Sequence, residues 1–227
     1  MNSNAQNNTQ NNVHQAAAAK RAMCPQCTRP QRTCICQWIT PIQNQAEVLI
    51  LQHPLEVANA KGSATLLHGS LLKSQLLVGE QFERNVLQQA LQATGSPIQA
   101  VLLYPDTSDS NAVDLVENPA PVLPESLTPD HVRLVILDAT WRKSRKMLYQ
   151  NPLLQSLPRI SLQDMPASHY RIRKAHRKDQ LSTLEATIYA LMRLEKNEQR
   201  YLALLNSFDG FVAQQSAYMQ GHASTET

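Results

Sequence analysis

The residues best suited to chemistry lie in the segment LDATWRKSRK, residues 137 to 146. Asp138, Thr140 and Trp141 end an apolar run here, and four basic residues follow at once. A carboxylate in such a turn can either accept backbone N–H groups as a cap or face a ligand, and the cations behind it can bind phosphate. Asp138 is therefore a candidate ligand-facing residue. In the alternative interpretation Thr140 only caps a helix and Trp141 is an ordinary core aromatic.

The positive charge of the chain is concentrated in one block. The chain carries a formal net charge of +3, whereas residues 141 to 178 contain ten Lys or Arg and a single acid, Asp164, so this block carries +9 and the remainder −6. Such a block is typical of a surface that binds a polyanion, because each phosphate contact releases counterions. The other interpretation is a solvated charged face. The predicted phosphate contacts are Arg142, Lys143, Arg145, Lys146, Arg171, Arg173, Lys174, Arg177 and Lys178.

The four cysteines lie within thirteen residues, spaced C-x2-C-x6-C-x-C. Reduced thiols at this spacing can form a tetrahedral site for zinc, and four thiolates leave no open position for a catalytic water. The predicted ligands of a structural zinc ion are Cys24, Cys27, Cys34 and Cys36. Two disulfides, which a cytosol disfavours, and an iron–sulfur cluster are the alternatives. Arg29 and Arg32 lie between the cysteine pairs, where the knuckle can also contact phosphate.

Strands and helices alternate along the part of the chain that must position these residues. Apolar runs predict strands over 46–53, 97–105 and 131–141, and helical patterns cover 64–76, 80–94 and 142–150. Short, nearly continuous apolar strands separated by helices indicate an α/β domain with a mostly parallel sheet and helices on both faces. Ligands bind beyond the carboxyl ends of such strands, so Asp138 and Thr140 are expected in a ligand-facing turn.

The C-terminal third is predicted to be helical. Ser182 and Glu185 form a capping-box pattern before a helix, and one face of that helix carries Leu184, Ile188 and Leu191. A second helix is predicted from near Gln199 to Tyr218, with a break near Asp209 and Gly210.

The sequence divides into four parts: a disordered tail over 1–22, a zinc knuckle over 23–40, a main α/β domain over 41–220 and a flexible C-terminus over 221–227. Six asparagines and three glutamines fall in the first fifteen residues, too polar to order by burial. We expect a cytoplasmic protein without a membrane partner, because the chain has neither an apolar run of membrane-spanning length nor a signal peptide. No obligate protein partner is evident. The six glycines form no dinucleotide-binding or P-loop motif.

Five blocks of sequence, in this order, resemble the DTW-domain proteins, a family of tRNA-uridine aminocarboxypropyltransferases. They are CPQCTRPQRTCIC at 24–36, LLYP at 102–105, LDATW at 137–141, YRIR at 170–173 and LSTLEA at 181–186. The resemblance covers nearly the whole chain after residue 23. It implies a fold related to the SPOUT class with a C-terminal trefoil knot, which general topology rules would argue against.

The resemblance also implies an activity. The family transfers the 3-amino-3-carboxypropyl group of S-adenosylmethionine, the co-substrate, to N3 of a uridine in tRNA and releases methylthioadenosine. The implied catalytic residues are Asp138, Thr140 and Trp141. The implied cofactor-binding residues are Leu103, Tyr104, Pro105, Leu137, Asp138, Thr140, Trp141, Ser182, Thr183 and Glu185. Two other functions fit the residues: a SPOUT-type RNA methyltransferase, and a zinc-knuckle RNA-binding protein without activity.

Several roles stay open at the level of sequence. Asp138 can take the N3 proton of the uracil, or bind the sulfonium side or the amino group of the cofactor. Trp141 can stack on the base or the adenine, or offer its π-face to the sulfonium. The capping box accounts for Ser182 and Glu185 without any ligand. His53, in QHP at a strand end, is either a site residue by resemblance or a structural histidine of the turn.

Overall fold

The computed structural model describes residues 22–92, 98–105, 127–162, 165–166, 168 and 181–223. Most of the predicted tail, residues 1–21, and the end of the chain, residues 224–227, lie outside these segments. The described residues form a sheet covered by helices, with the cysteine knuckle packed at one side.

The sheet has five strands, all parallel, which confirms the predicted α/β class. The strands are β1 (Glu47–Gln52), β2 (Ser74–Val78), β3 (Gln99–Leu103), β4 (Val132–Asp138) and β5 (Arg159–Ile160). Their order across the sheet is β2-β1-β4-β3-β5. The two central strands end together, because the last residue of β1, Gln52, pairs with the last residue of β4, Asp138.

Seven α-helices accompany the sheet in the described segments. They are α1 (Pro54–Val57), α2 (Ala64–Ser70), α3 (Arg84–Leu91), α4 (Trp141–Gln150), α5 (Pro152–Gln155), α6 (Thr183–Glu195) and α7 (Gln199–Ala223). The predicted helices over 80–94 and 142–150 correspond to α3 and α4. Within these segments, no helix combines the length and the apolar character that crossing a bilayer requires.

Three predictions about the elements were wrong or incomplete. The helix predicted over 64–76 ends at Ser70, and residues 74–78 form the edge strand β2, whose apolar LLV run lies only partly buried. The C-terminal helix has no break near Gly210 and continues to Ala223, past the predicted domain end. At Gly210 the helix lacks a Cβ, and this allows the indole ring of Trp38 to pack closely against it. The two-residue strand β5 had no sequence signal.

The core has two parts, one on each face of the sheet. Val48 and Ile136 belong to the face that packs against α2, α6 and α7. Leu49 and Leu137, one position along, belong to the face that packs against α3, α4 and α5. Both strands are therefore apolar on both faces, as the continuous runs predicted.

The orientation of α6 follows from its last residue. Glu195 Oε1 accepts hydrogen bonds from the backbone N–H groups of Gln45 at 2.7 Å and Ala46 at 3.1 Å, just before β1. A helix of 13 residues is about 20 Å long, close to the length of a six-residue strand. The N-terminus of α6, at Ser182, therefore lies toward the carboxyl edge of the sheet.

Candidate functional site

Asp138 is fixed at the carboxyl end of β4 by the neighbouring strand. Its side chain is buried, with the residue 5% exposed, and Gln52 Nε2 donates a hydrogen bond to its Oδ2 at 2.9 Å. The backbone N–H of His53 donates to the Asp138 carbonyl at 3.0 Å. Asp138 thus lies with a defined orientation at the carboxyl edge of the sheet, the edge at which parallel sheets commonly bind ligands. No sequence motif marks Gln52, and its pairing with Asp138 follows only from the register between β1 and β4.

Thr140 and Trp141 form the turn that begins α4. Thr140 occupies the N-cap position and its carbonyl accepts the Ser144 N–H at 2.8 Å, but its hydroxyl makes no capping bond. Trp141 is 52% exposed and stacks on Tyr104 with ring centroids 5.3 Å apart and 10° between the planes. Trp141 is therefore not a core aromatic. Its ring covers Tyr104 while about half of the residue remains open to solvent.

Tyr104 joins the end of β3 to this turn. It is buried beneath Trp141, and the guanidinium carbon of Arg159 lies 5.8 Å from its ring centroid. Burial raises the pKa of Tyr104, and this effect is opposed by Ser144, Arg145 and Arg159. The structure therefore brings the LLYP and LDATW blocks into contact. Leu103, Tyr104 and Pro105 all belong to the end of β3 or follow it directly.

His53 is held by two hydrogen bonds. Its Nδ1 accepts the Leu55 N–H at 3.1 Å as the N-cap of α1, so we assign the proton to Nε2, which lies 3.0 Å from Glu80 Oε1. Glu80 Oε2 in turn accepts from Lys146 Nζ at 2.8 Å. Lys146 first, and then His53, lower the pKa of Glu80. Both ring nitrogens of His53 are thus occupied, which favours the structural interpretation.

A second acid, Glu56, binds another of the predicted phosphate contacts. Glu56 is 5% exposed, and its Oε1 accepts from Lys143 Nζ at 2.9 Å. The four cations on the first turns of α4 thus fall into two groups, the two lysines paired with acids and the two arginines. Lys143 and Lys146 are bound to acids that sequence reasoning did not single out, whereas Arg142 is exposed and Arg145 is partly buried.

The predicted capping box is present at the start of α6. Ser182 Oγ accepts the Glu185 N–H at 3.1 Å, and Glu185 Oε2 accepts the Ser182 N–H at 2.8 Å. Ser168 Oγ also donates to Glu185 Oε2 at 2.7 Å. That Ser182, Thr183 and Glu185 contact a cofactor stays a prediction. These residues lie at the N-terminus of α6, which faces the same carboxyl edge of the sheet as Asp138. The predicted cations Arg171, Arg173, Lys174, Arg177 and Lys178 lie outside the described residues.

The four cysteine sulfurs converge on one point. All four Sγ atoms lie within 4.8 Å of one another, with 3.6 Å between Cys24 and Cys36 and 3.8 Å between Cys27 and Cys34. A tetrahedral ion with metal–sulfur bonds of about 2.3 Å places its sulfurs about 3.8 Å apart. These separations are far longer than the ~2 Å of a disulfide bond. The cluster can therefore hold one tetrahedral metal ion.

The thiols of the cluster differ in how readily they ionise. Backbone N–H groups of Cys27 and Gln26 lower the pKa of Cys24 to about 6, whereas burial chiefly raises the pKa of Cys36 to about 12. A bound cation is what would hold all four as thiolates.

The knuckle is attached to the C-terminal helix. Gln214 Nε2 donates to the Cys34 carbonyl at 3.0 Å, and Gln214 Oε1 accepts from the indole N–H of Trp38. The hydroxyl of Tyr218 donates to the Arg32 carbonyl. Arg29, which the sequence offered as a phosphate contact, instead donates to two backbone carbonyls of the protein.

The DTW domain family model matches residues 21–216 of the chain. The protein named tRNA-uridine aminocarboxypropyltransferase 2 of Mus musculus is 29% identical over 213 residues, 89% of this chain and 67% of its own length. Its Macaca fascicularis counterpart is 28% identical with the same coverage. The protein named tRNA-uridine aminocarboxypropyltransferase A of Arabidopsis thaliana is 28% identical over 59% of this chain and 53% of its own.

The chain spans about two thirds of the length of the mammalian relatives and about half of the plant relative. There is no significant match among solved structures. The family match covers most of the chain, including the cysteine knuckle and the turn that carries Asp138 and Trp141, and this chain therefore belongs to the DTW domain family.

Proposed function

We propose that this protein is a tRNA-uridine aminocarboxypropyltransferase, which transfers the 3-amino-3-carboxypropyl group of S-adenosylmethionine to N3 of a uridine in tRNA. The names of the relatives support the class of reaction. The observation that carries the proposal for this chain is the position of Asp138. It is a buried carboxylate with a fixed orientation, one turn from an exposed indole, at the edge where parallel sheets bind ligands.

The reaction requires one bond to form and one to break. The N3 atom of the uracil bonds to the γ-carbon of the methionine chain, the bond between that carbon and sulfur breaks, and its electron pair leaves with methylthioadenosine. The N3 proton must go to a base, and Asp138 is assigned this role. Because three carbons surround the sulfonium, the site must align the γ-carbon with the base and turn the methyl group away.

Trp141 supplies the stacking surface in this proposal. Its inner face stacks on Tyr104, with the ring centroids 5.3 Å apart, so its outer face is the one available to a ligand. A nucleobase, the adenine of the cofactor or the sulfonium can lie against that face. Thr140 sets the turn between Asp138 and Trp141. The cofactor is assigned to residues at the ends of β3 and β4 and at the start of α6: Leu103, Tyr104, Pro105, Leu137, Ser182, Thr183 and Glu185.

The RNA is assigned to the basic block. Arg142 and Arg145 lie on the first turns of α4, directly behind Trp141, and the cations from Arg171 to Lys178 follow in the sequence. A folded tRNA would be recognised by its shape and its phosphates, with the target uridine turned out of its stack toward Asp138.

The proposal extends to the metal, the fold and the compartment. Zinc is assigned to the four cysteines, since a closed set of thiolates at tetrahedral separations suits a structural ion. The all-parallel sheet is compatible with the SPOUT-related fold that the resemblance implies, and the C-terminal trefoil knot stays part of the proposal. Reduced cysteines favour the cytoplasm.

One assay separates this function from its rivals. The purified protein is incubated with tRNA and S-adenosylmethionine, and both the small-molecule by-product and the tRNA nucleosides are identified by mass spectrometry. Methylthioadenosine with a uridine carrying the aminocarboxypropyl group supports the proposal. S-adenosylhomocysteine with a methylated nucleoside would make the protein a methyltransferase, and tRNA binding without either by-product would make it a binding protein.

A further inference from the structure

Arg29 joins the cysteine knuckle to the turn over 58–62, which follows β1 and α1. Its two terminal nitrogens donate to the carbonyls of Ala60 and Gly62, each at 2.6 Å, and its guanidinium carbon lies 5.5 Å from the ring centroid of Phe211 in α7. The planar fork of an arginine can reach two carbonyls together, which a single ammonium group cannot match. Arg29 therefore fastens the turn over 58–62 to the knuckle and to α7.

The knuckle fixes the direction in which Arg29 points. Thr28, the residue before it, has a φ of 56°, in the left-handed region that a β-branched residue rarely adopts. The turn is closed by hydrogen bonds from the Cys24 N–H to the Arg29 carbonyl at 2.7 Å and from the Thr28 N–H to the Cys24 carbonyl at 2.9 Å. The backbone of Arg29 is thus set by the same turn that presents Cys24 and Cys27.

From the fastened turn, a continuous series of contacts leads to α4. Asn59 accepts the Lys61 N–H with its Oδ1 at 3.0 Å and donates from Nδ2 to Glu56 Oε2 at 2.9 Å. The other oxygen of Glu56 accepts from Lys143 Nζ at 2.9 Å. Lys143 lies two residues after Trp141 on α4. A buried carboxylate thus connects the turn to the helix that carries the exposed indole.

We propose that Arg29 is a positioning residue, through which the cysteine knuckle holds the 58–62 turn and, by way of Asn59, Glu56 and Lys143, sets the N-terminus of α4 at the reaction site. The knuckle then contributes to the rate of group transfer without contacting S-adenosylmethionine or tRNA. This inference rests on the proposed function only for its effect on transfer. Its structural part, the fastening of the turn, stands separately. A contiguous network is a physical route for coupling, and coupling itself must be measured.

The test uses Arg29→Lys in the metal-loaded full-length protein, with Arg32→Lys as the matched control. Both variants keep the charge and alter the same knuckle, but only Arg29 forms the two-carbonyl clasp. We expect hydrogen exchange of the Lys61 and Gly62 amides to accelerate in Arg29→Lys and to stay at the parental rate in Arg32→Lys. Metal content should be parental in both. Unchanged exchange in Arg29→Lys, or equal acceleration in the control, would overturn the proposal.

The link to the reaction site is tested with a double-mutant cycle. We expect Arg29→Lys to lower kcat/KM for transfer by roughly tenfold or more, as small misplacements of reacting groups do. In an Asn59→Ala background, where the turn is already detached from Glu56, Arg29→Lys should cost much less. Additive effects would contradict the route through Asn59. If the parent transfers nothing, the proposed function fails, whereas the exchange comparison still decides whether Arg29 holds the turn.

Discussion

The cysteine knuckle and the carboxyl edge of the sheet are built in opposite ways. The knuckle takes its four ligands from thirteen consecutive residues and arranges them at the separations of a closed tetrahedral site. The carboxyl edge takes Gln52, Glu80, Tyr104 and Asp138 from four different strand ends and leaves the face of Trp141 exposed. A closed site suits structure and an open one suits chemistry. Substitutions in the knuckle should therefore mainly lower the stability of the fold, whereas substitution of Asp138 at the carboxyl edge of the sheet should lower the rate of transfer.

Cys27→Ser should have the largest effect on stability. Loss of one thiolate opens the metal site, and because metal binding there is coupled to folding, we expect loss of the ion with a cost of several kcal/mol or an unfolded knuckle. Metal analysis and thermal melts of the purified variant measure both. If the purified parent contained no zinc and Cys27→Ser melted at the parental temperature, the assignment of a structural zinc ion would be wrong.

Asp138→Asn should instead abolish transfer and leave the fold intact. Removal of a general base commonly costs about 10²- to 10⁴-fold in rate, while the asparagine oxygen can still accept from Gln52. Metal content, melting and tRNA affinity should match the parent in the same preparation. A residual rate that rises with pH would favour the base role, and lost cofactor affinity would favour the binding role. Near-parental transfer would mean that the chemistry lies elsewhere.

Gly210→Ala tests the contact between the knuckle and α7. In an open helix position this change usually stabilises, because alanine is the better helix former. Here the new methyl group meets the indole of Trp38, so we expect a loss of about 1–3 kcal/mol in chemical denaturation. In a Trp38→Leu background the loss should shrink. Stabilisation by Gly210→Ala alone would show that the two elements do not pack as described.

Arg142→Gln and Lys143→Gln compare an exposed cation with a paired one on the same helix. We expect Arg142→Gln to reduce the salt dependence of tRNA binding by about one phosphate contact and to leave stability unchanged. Lys143→Gln should mainly lower stability, because it removes one charged partner of the buried Glu56. Binding measured over a range of salt concentrations, with melts of both variants, decides this. The opposite assignment of effects would contradict the division of the α4 cations.

Glu80→Gln should have the smallest effect, and one that depends on pH. Because Lys146 and His53 lower the pKa of Glu80, its ionised form contributes stability above the ordinary glutamate value of 4.5, and this contribution disappears as the pH falls through the lowered folded value. The variant should thus melt slightly below the parent at neutral pH and coincide with it well below pH 4.5. A constant difference at both pH values would mean that Glu80 acts by packing.

Local patterns in the sequence were sufficient to predict the cysteine cluster, the capping box, the class of the sheet and the position of Asp138. The cysteine spacing predicted a metal site whose sulfurs do converge, and the Ser182 and Glu185 pattern predicted a capping box that is present. The apolar runs predicted a parallel sheet covered on both faces. The order of LDATW after an apolar run placed Asp138 at a strand end. In each case the deciding interactions lie within a few residues, or follow from a period that the sequence repeats.

The tertiary structure decided which distant residues meet. Gln52 holds Asp138 because β1 and β4 are neighbours in register, and Trp141 is exposed because Tyr104, at the end of β3, occupies the position beneath it. Arg29 binds the Ala60 and Gly62 carbonyls because the 58–62 turn packs against the knuckle. No local pattern contains these pairings. They depend on strand order and on packing between elements, which form only when the whole sheet assembles.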